Sequence, residues 1–226
     1  MILFKRFSGK TTAYLSFMLV LIGFQLISAC NSPFTPKPRG YFKIALPEHE
    51  YQVFERPGFP YSFEYPKYAT IVQDSTYFDE QPENPYWINI DIPSLNGRIY
   101  ISYNQIGGKA RYKVQNKSGE YVDSFGVNTF DKLLNDSYTL SYKHSYKASS
   151  IEDSAFVSQG GINGIYFRIG GNTATANQFL LTDSSRHFLR GALYFDAAPN
   201  EDSLRPINNF LREDLKHLIN TLRWKN

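Results

Sequence analysis

Ile88-Asn89-Ile90-Asp91-Ile92-Pro93-Ser94-Leu95-Asn96-Gly97-Arg98-Ile99-Tyr100-Ile101-Ser102-Tyr103 reads as two strands and the turn that joins them. Successive side chains of a strand point to opposite faces, so Ile88, Ile90 and Ile92 share one face and Asn89 and Asp91 the other. Ile99, Ile101 and Tyr103 repeat the pattern on the return strand. Asn96-Gly97 supplies a two-residue turn that tolerates positive φ. The alternation predicts a hairpin with one buried face and one that is polar or otherwise covered.

Outward from this hairpin the same logic recovers further elements. Residues 61–65 alternate and stop at Pro66, and 68–72 offer a second strand. Residues 79–85 are polar and contain proline, which marks a loop. Residues 107–126 show no readable period. Asn128 can cap a helix from Thr129, with Phe130, Leu133, Leu134 and Tyr138 on one side, continuing to about Lys147. Ile165, Phe167 and Ile169 alternate. Residues 179–182 and 187–195 form a second hairpin around Asp183-Ser184-Ser185. The chain ends on an apolar stripe of helical period, Leu204, Ile207, Phe210, Leu211, Leu215, Leu218, Ile219 and Leu222. Asp202 or Ser203 can cap that helix, and Pro206 fits its first turn. Hairpins without βαβ crossovers predict an α+β fold. It is a single domain over residues 40–226, a mainly antiparallel sheet packed with an inner helix and a C-terminal amphipathic helix.

The N-terminus reads as an address. Lys5, Arg6 and Lys10 precede an uncharged, mostly apolar run over residues 11–27, the order of a secretory signal over residues 1–29. The run closes on Ile27-Ser28-Ala29-Cys30, which resembles a lipobox: a branched apolar residue, two small ones, and the thiol that accepts the lipid. Cys30 is the chain's single cysteine, so no disulfide forms within it. Cys30 is thus the expected lipidation site, its acyl chains (palmitate among them) meeting membrane lipid. Residues 30–39 read as a lipidated tether in which Pro33, Pro36 and Pro38 favour extended backbone, the nine residues after Cys30 reaching roughly 28 Å at about 3.1 Å per residue. Of the 24 Lys and Arg, three lie before Cys30, which leaves 21 against 21 Asp and Glu. The chain after Cys30 therefore has no global field to attract nucleic acid or anionic lipid.

Chemical motifs are sparse. His49, His144, His187 and His217 are scattered, with no metal-ligand spacing, no G-x-S-x-G elbow and no phosphate loop. No cofactor and no metal is expected, and no catalytic residue is assigned. Ser184, His187 and Asp183 offer only a chance triad. Lys143-His144 and Arg186-His187 would meet as a polar site if the inner helix packs on the second hairpin; the favoured reading is a solvated helix end and turn. Where the tether enters the domain, Arg39 offers a planar five-donor fork beside Tyr41 and Phe42. These residue types anchor interfaces, which makes the three a candidate partner contact. The alternative is that Tyr41 and Phe42 simply begin the fold.

Several stretches resemble the gliding motility lipoprotein GldD family of the Bacteroidetes. They are Pro36-Lys37-Pro38-Arg39-Gly40-Tyr41-Phe42, Pro60-Tyr61-Ser62-Phe63-Glu64-Tyr65-Pro66, Trp87-Ile88-Asn89-Ile90, 144–151, 170–179, His187-Phe188-Leu189-Arg190-Gly191-Ala192-Leu193-Tyr194-Phe195, Pro199-Asn200 and Asp202-Ser203-Leu204. Thr173-Ala174-Thr175-Ala176 departs from the Ala/Ser-type stretch expected there. The resemblance implies a cell-envelope lipoprotein of gliding motility and type IX secretion. Its setting implies other gliding or secretion lipoproteins or envelope proteins as partners, and with no catalytic motif in the chain the expected role is a non-enzymatic accessory or scaffold. No acidic cluster of the kind carried by surface-exported lipoproteins of these bacteria follows Cys30, so a periplasm-facing anchor is expected, at the outer membrane's inner leaflet or the cytoplasmic membrane. The abundance of Tyr, Phe and polar amides keeps a second reading open, a periplasmic glycan- or peptidoglycan-binding module. Ser154, Ser75 and Ser203, in that order, sit in short Asp-Ser sequences of the kind that receive O-glycans on exported proteins of these bacteria. Ser154 is expected in a polar stretch between the inner helix and the next strand.

Overall fold

The computed structural model describes residues 13–14, 16–19, 44–73 and 84–225. The chain divides into two units, Met1–Phe42 and Lys43–Asn226. In the first, the described residues are helical and exposed. Among the described residues no helix is long and apolar enough to cross a membrane.

The second unit runs β1 (Tyr51–Phe54), β2 (Tyr61–Pro66), β3 (Thr70–Gln73), β4 (Ile88–Ile92), β5 (Gly97–Gln105), β6 (Lys109–Gln115), β7 (Tyr121–Val127), α1 (Phe130–Tyr142), β8 (Ala148–Val157), β9 (Asn163–Gly171), β10 (Asn177–Thr182), β11 (His187–Phe195), α2 (Glu201–Thr221) and β12 (Arg223–Trp224). Seven strands form one sheet in the order β3-β4-β5-β11-β10-β9-β8, while β1-β2-β12 and β6-β7 make two smaller sheets. The strand pairings are antiparallel, so the fold is α+β.

The opening hairpin sets the core. Ile88 pairs with Ile101 and Ile90 with Ile99, and all four side chains are buried. Leu189, Leu193, Phe179 and Leu181 extend this face across β11 and β10. The stripe of α2, through Leu211, Leu215, Leu218 and Ile219, packs on it together with Phe54, Tyr61 and Phe63 of β1 and β2. The turn differs from expectation. Pro93–Leu95 forms a single 3-10 turn, Asn96 takes the left-handed conformation at φ 48, and Gly97 already pairs with Ile92. Proline at the start of that turn pre-sets φ, so the left-handed duty falls on Asn96 alone.

Three element boundaries also shift. Residues without a readable period form the β6-β7 hairpin, most of whose side chains are exposed on both faces, so no burial rhythm is imposed on them. The cap of α1 is Thr129, which accepts from the Lys132 N–H at 3.3 Å, whereas Asn128 is held by β6. α1 stops at Tyr142 because tight turns follow, Ser145 N–H to Tyr142 and Ala148 N–H to His144. At α2 the cap is Asn200, whose extended backbone lets its side chain accept from Ser203 N–H. Asp202 and Ser203 are inside the helix, and Pro206 sits in the second turn, where it donates no hydrogen bond.

Leu215 is fully buried against the sheet. Truncating such a leucine costs about 2–5 kcal/mol, and an unpaired buried charge costs several more. Leu215→Ala should lower the chemical-denaturation midpoint clearly, and Leu215→Asp should leave no cooperative transition. Unchanged melting of Leu215→Asp would contradict the packing of α2.

Candidate functional site

The second face of the seven-stranded sheet is built differently from the first. Register places Asn89 opposite Tyr100, Tyr100 opposite Ala192, Ala192 opposite Gln178, and Gln178 opposite Phe167. Directly paired residues project to one face, so these five form a row across five strands. The neighbouring row carries Ser102, Arg190, Leu180 and Ile165. α1 lies on this face. Its first half packs Phe130, Leu133, Leu134 and Tyr138 against Phe167, Leu180 and Phe188. Its second half buries serines instead: Ser137 and Ser141 are fully covered.

Those serines roof a polar recess. The Ser141 hydroxyl lies 3.0 Å from Gln178 Oε1, which also accepts from Arg190 Nη2. Arg190 is 8% exposed and Gln178 0%. No ion pair to Arg190 is formed among the described residues, and Arg190 Nε, Gln178 Nε2 and Asn89 Oδ1 have no hydrogen-bond partner. A buried guanidinium without a carboxylate costs several kcal/mol, and each unmet polar atom about 1–3 kcal/mol. His144, just beyond α1, is lowered from the ordinary histidine value by burial and by the Arg190 charge. It therefore adds no second cation at neutral pH. At the other end of the face, Arg98 grips Asp91 with two hydrogen bonds of 2.6 and 3.1 Å. There Tyr100 and Tyr194 meet edge to face at 5.5 Å. A cavity of about 480 Å³ opens beside them, lined by Asp91, Arg98, Tyr100, Tyr194, Phe195 and Asp196.

Arg186-His187 lies away from this recess. His187 projects from the core face, where its Nδ1 is 2.8 Å from the Tyr103 hydroxyl and its ring stacks on Trp224 at 4.9 Å. Burial lowers His187 and pushes Tyr103 up to about 12. Lys143-His144 and Arg186-His187 do not meet, because strand alternation puts His144's neighbour, Arg190, on the opposite face from His187. Nor do Ser184, His187 and Asp183 form a triad. Asp183 Oδ1 accepts the backbone N–H groups of Ser185, Arg186 and His187. Burial alone would raise this carboxyl, and those three bonds outweigh it and hold it low.

A further cluster carried no signal in the sequence because its members are 163 and 165 residues apart. Buried Asp214 of α2 receives His49 Nδ1 at 2.7 Å and the hydroxyls of Tyr51 at 3.0 Å and Tyr68. His217 contacts Glu64 at 2.6 Å and stacks on Tyr51 at 3.5 Å. Burial first, then the Asp214 contact, raises Tyr51 and Tyr68. This cluster pins the entering segment to α2. Among the described residues, no group of three or more His, Cys, Asp or Glu could hold a metal ion. Cys30, Arg39, Tyr41, Phe42 and Ser75 lie outside the described residues. Ser154 is exposed within strand β8 rather than in a connecting stretch, because β8 spans all of 148–157, and Ser203 is exposed in the first turn of α2.

Fold and site together define a single antiparallel α+β domain that buries, on one face of its sheet, an arginine with no ion pair among the described residues. The chain belongs to the gliding motility lipoprotein GldD family, whose family model matches residues 31–224. The match starts directly after Cys30, and its description carries both the lipoprotein character and the involvement in gliding motility. No curated protein matches the sequence. Among solved structures, the chain is similar to the cyanobacterial PsbP (CyanoP) of Synechocystis, with 10% identity and a TM-score of 0.43. The likeness covers 84% of this chain and 100% of that one. Within this chain, four stretches that carry the family resemblance converge on the polar face. They contribute Asn89, His144, Gln178 and the trio Arg190, Ala192 and Tyr194.

Two outcomes follow for these residues. Arg190→Met replaces an uncompensated buried charge by an apolar side chain of similar length, which is neutral or stabilising for buried ions in general. The variant should melt at or above the wild-type temperature while failing to restore gliding to a deletion strain; a parallel collapse of melting temperature would mark Arg190 as structural. The second concerns pH. His144 and His187 both have folded values below the ordinary 6.5, so as pH falls the unfolded chain binds protons first. Stability should be flat above that value and decline as pH drops through it toward the lowered folded values. The double variant His144→Gln, His187→Asn should show a shallower decline of the denaturation midpoint. An equal decline in both proteins would contradict the assignment.

Proposed function

We propose that this chain is a non-enzymatic, lipid-anchored accessory of the gliding and type IX secretion machinery, and that it engages an envelope partner through the polar face beside α1. The observation that carries this reading is Arg190, buried without a counter-ion among unmet polar atoms. A fold selected only for stability would replace that group. The lipid on Cys30 supplies localisation, the proline tether supplies reach, and the periplasm is the compartment in which such a face would meet other gliding lipoproteins. Arg39, Tyr41 and Phe42, where the tether joins the domain in the sequence, are the candidate second contact. Crosslinking from a photoreactive residue at Ser102, with the lipidated protein in its native envelope, tests the reading. It should yield a discrete adduct that Arg190→Met abolishes. An adduct pattern unaffected by Arg190→Met would remove the polar face from the interaction.

A specific observation also favours the glycan-binding reading: the cavity at Tyr100 and Tyr194 combines aromatic rings with Asp91, Arg98 and Asp196. Saccharide binding that Tyr194→Ala eliminates would select it over protein docking.

Anchoring has its own test. Cys30→Ala should abolish incorporation of a fatty-acid probe and leave the precursor uncut, since stable attachment generally needs more than one acyl chain. Equal labelling of wild type and variant would end the lipid-anchor reading. Intact mass of protein from its own host then decides whether Ser154, Ser75 or Ser203 carries sugar. A mass equal to the lipidated, sugar-free chain removes all three.

A further inference from the structure

The β6-β7 hairpin concentrates the domain's exposed apolar side chains. Tyr121 is 70% exposed, Phe125 73% and Val127 57%, with Tyr112, Val114 and Val122 between 37% and 42%. The hairpin is a sheet of two strands only, a form marginally stable in water by itself. Register shows what one of its faces offers. Lys109 is opposite Val127, Arg111 opposite Phe125, Lys113 opposite Asp123 and Gln115 opposite Tyr121. At the open end Lys109 and Arg111 thus stand beside Val127 and Phe125, while Lys113 faces Asp123 and Gln115 faces Tyr121. Over residues 109–127 the basic side chains are Lys109, Arg111, Lys113 and Lys117, against Glu120 and Asp123.

We propose that this hairpin lies in the surface of an anionic bilayer, with Phe125 and Tyr121 at the headgroup level and Lys109 and Lys117 against lipid phosphates. The composition distinguishes this occupant from others. Protein interface cores are depleted of lysine, and this hairpin carries three, Lys109, Lys113 and Lys117. A bilayer interface accepts both kinds of side chain at once, since aromatic rings settle at the headgroups while Lys and Arg extend to the polar layer. Seven-residue strands are shorter than the 9–11 residues a spanning strand requires, and an open two-stranded sheet cannot satisfy its backbone in hydrocarbon. The hairpin therefore lies on the membrane and does not cross it. The neutrality of the chain after Cys30 is no obstacle. At about 0.1 M salt charges are screened beyond about 10 Å, so the local patch decides. Membership of a lipoprotein family keeps a bilayer within reach, and the inference is independent of the role of Arg190.

The test uses full-length protein purified from its host and reconstituted into nanodiscs of phosphatidylcholine alone or mixed with phosphatidylglycerol. Cys30 is the sole native cysteine, and lipid blocks it, so Phe125→Cys can carry one environment-sensitive fluorophore. The expected result is a blue-shifted emission, quenched by brominated lipid, in the phosphatidylglycerol discs. It should weaken several-fold at high salt and in Lys109→Gln, Lys117→Gln. A water-like emission in both discs overturns the proposal. So does an equal shift in both, which would mean contact without charge selection. A shift that tracks protein concentration in detergent without lipid would assign the face to a second copy. Unlabelled Tyr121→Ser, Phe125→Ser should keep the wild-type melting temperature and lose phosphatidylglycerol-dependent protection of the hairpin from protease. Equal protection in that variant also counts against it.

Discussion

Burial of the isoleucine face of β4 and β5 is the constraint around which the domain is arranged. Each fully buried aliphatic side chain there contributes about 1.5–3 kcal/mol, and none of it is available unless something covers the sheet. α2 and the small β1-β2-β12 sheet supply the cover. The Asp214 cluster then ties the entering segment to the same helix, through His49, Tyr51 and Tyr68. One face of the seven-stranded sheet thus accounts for the main core, the position of α2 and the path of the chain into the fold.

That arrangement leaves the opposite face free to do something else. α1 covers it with a short apolar patch at one end and with serines at the other. Beneath the serines sit Arg190 and Gln178, whose Nε and Nε2 atoms have no hydrogen-bond partner. An apolar pair in their place would close the same gap at lower free energy. The polar face is therefore the part of this domain whose composition stability alone does not explain. It is also where residues from four family stretches, at 87–90, 144–151, 170–179 and 187–195, come together.

The first hairpin and the α2 stripe were legible in the sequence because an apolar face of each writes a period of two or of 3.6 into the residues, whereas the second hairpin, buried on both faces, was legible from its Asp183-Ser184-Ser185 turn. β6 and β7 were illegible for the opposite reason, since exposure on both faces leaves no period. The start of α2 was misplaced because Asn200, Asp202 and Ser203 are all capping residues, and only the extended backbone at Asn200 selects among them. The polar face could not be read at all. Asn89, Gln178 and Arg190 are ordinary polar positions in their own strands, and only the strand order β4-β5-β11-β10 places them on one surface. The Asp214 cluster hid behind the same long separations.

The central claim is that the two faces have different duties: one holds the fold, and the other is kept polar for engagement. Native-state hydrogen exchange resolved by helix tests it most directly. Core amides exchange only through global unfolding, whereas loosely packed elements open locally at lower free energy. The amides of α2 should exchange at the free energy of global unfolding. Those of α1, particularly the turn carrying Ser141, should exchange through a smaller local opening. Equal protection of α1 and α2 at the global value would mean that the polar face is as firmly closed as the core, and would contradict the account.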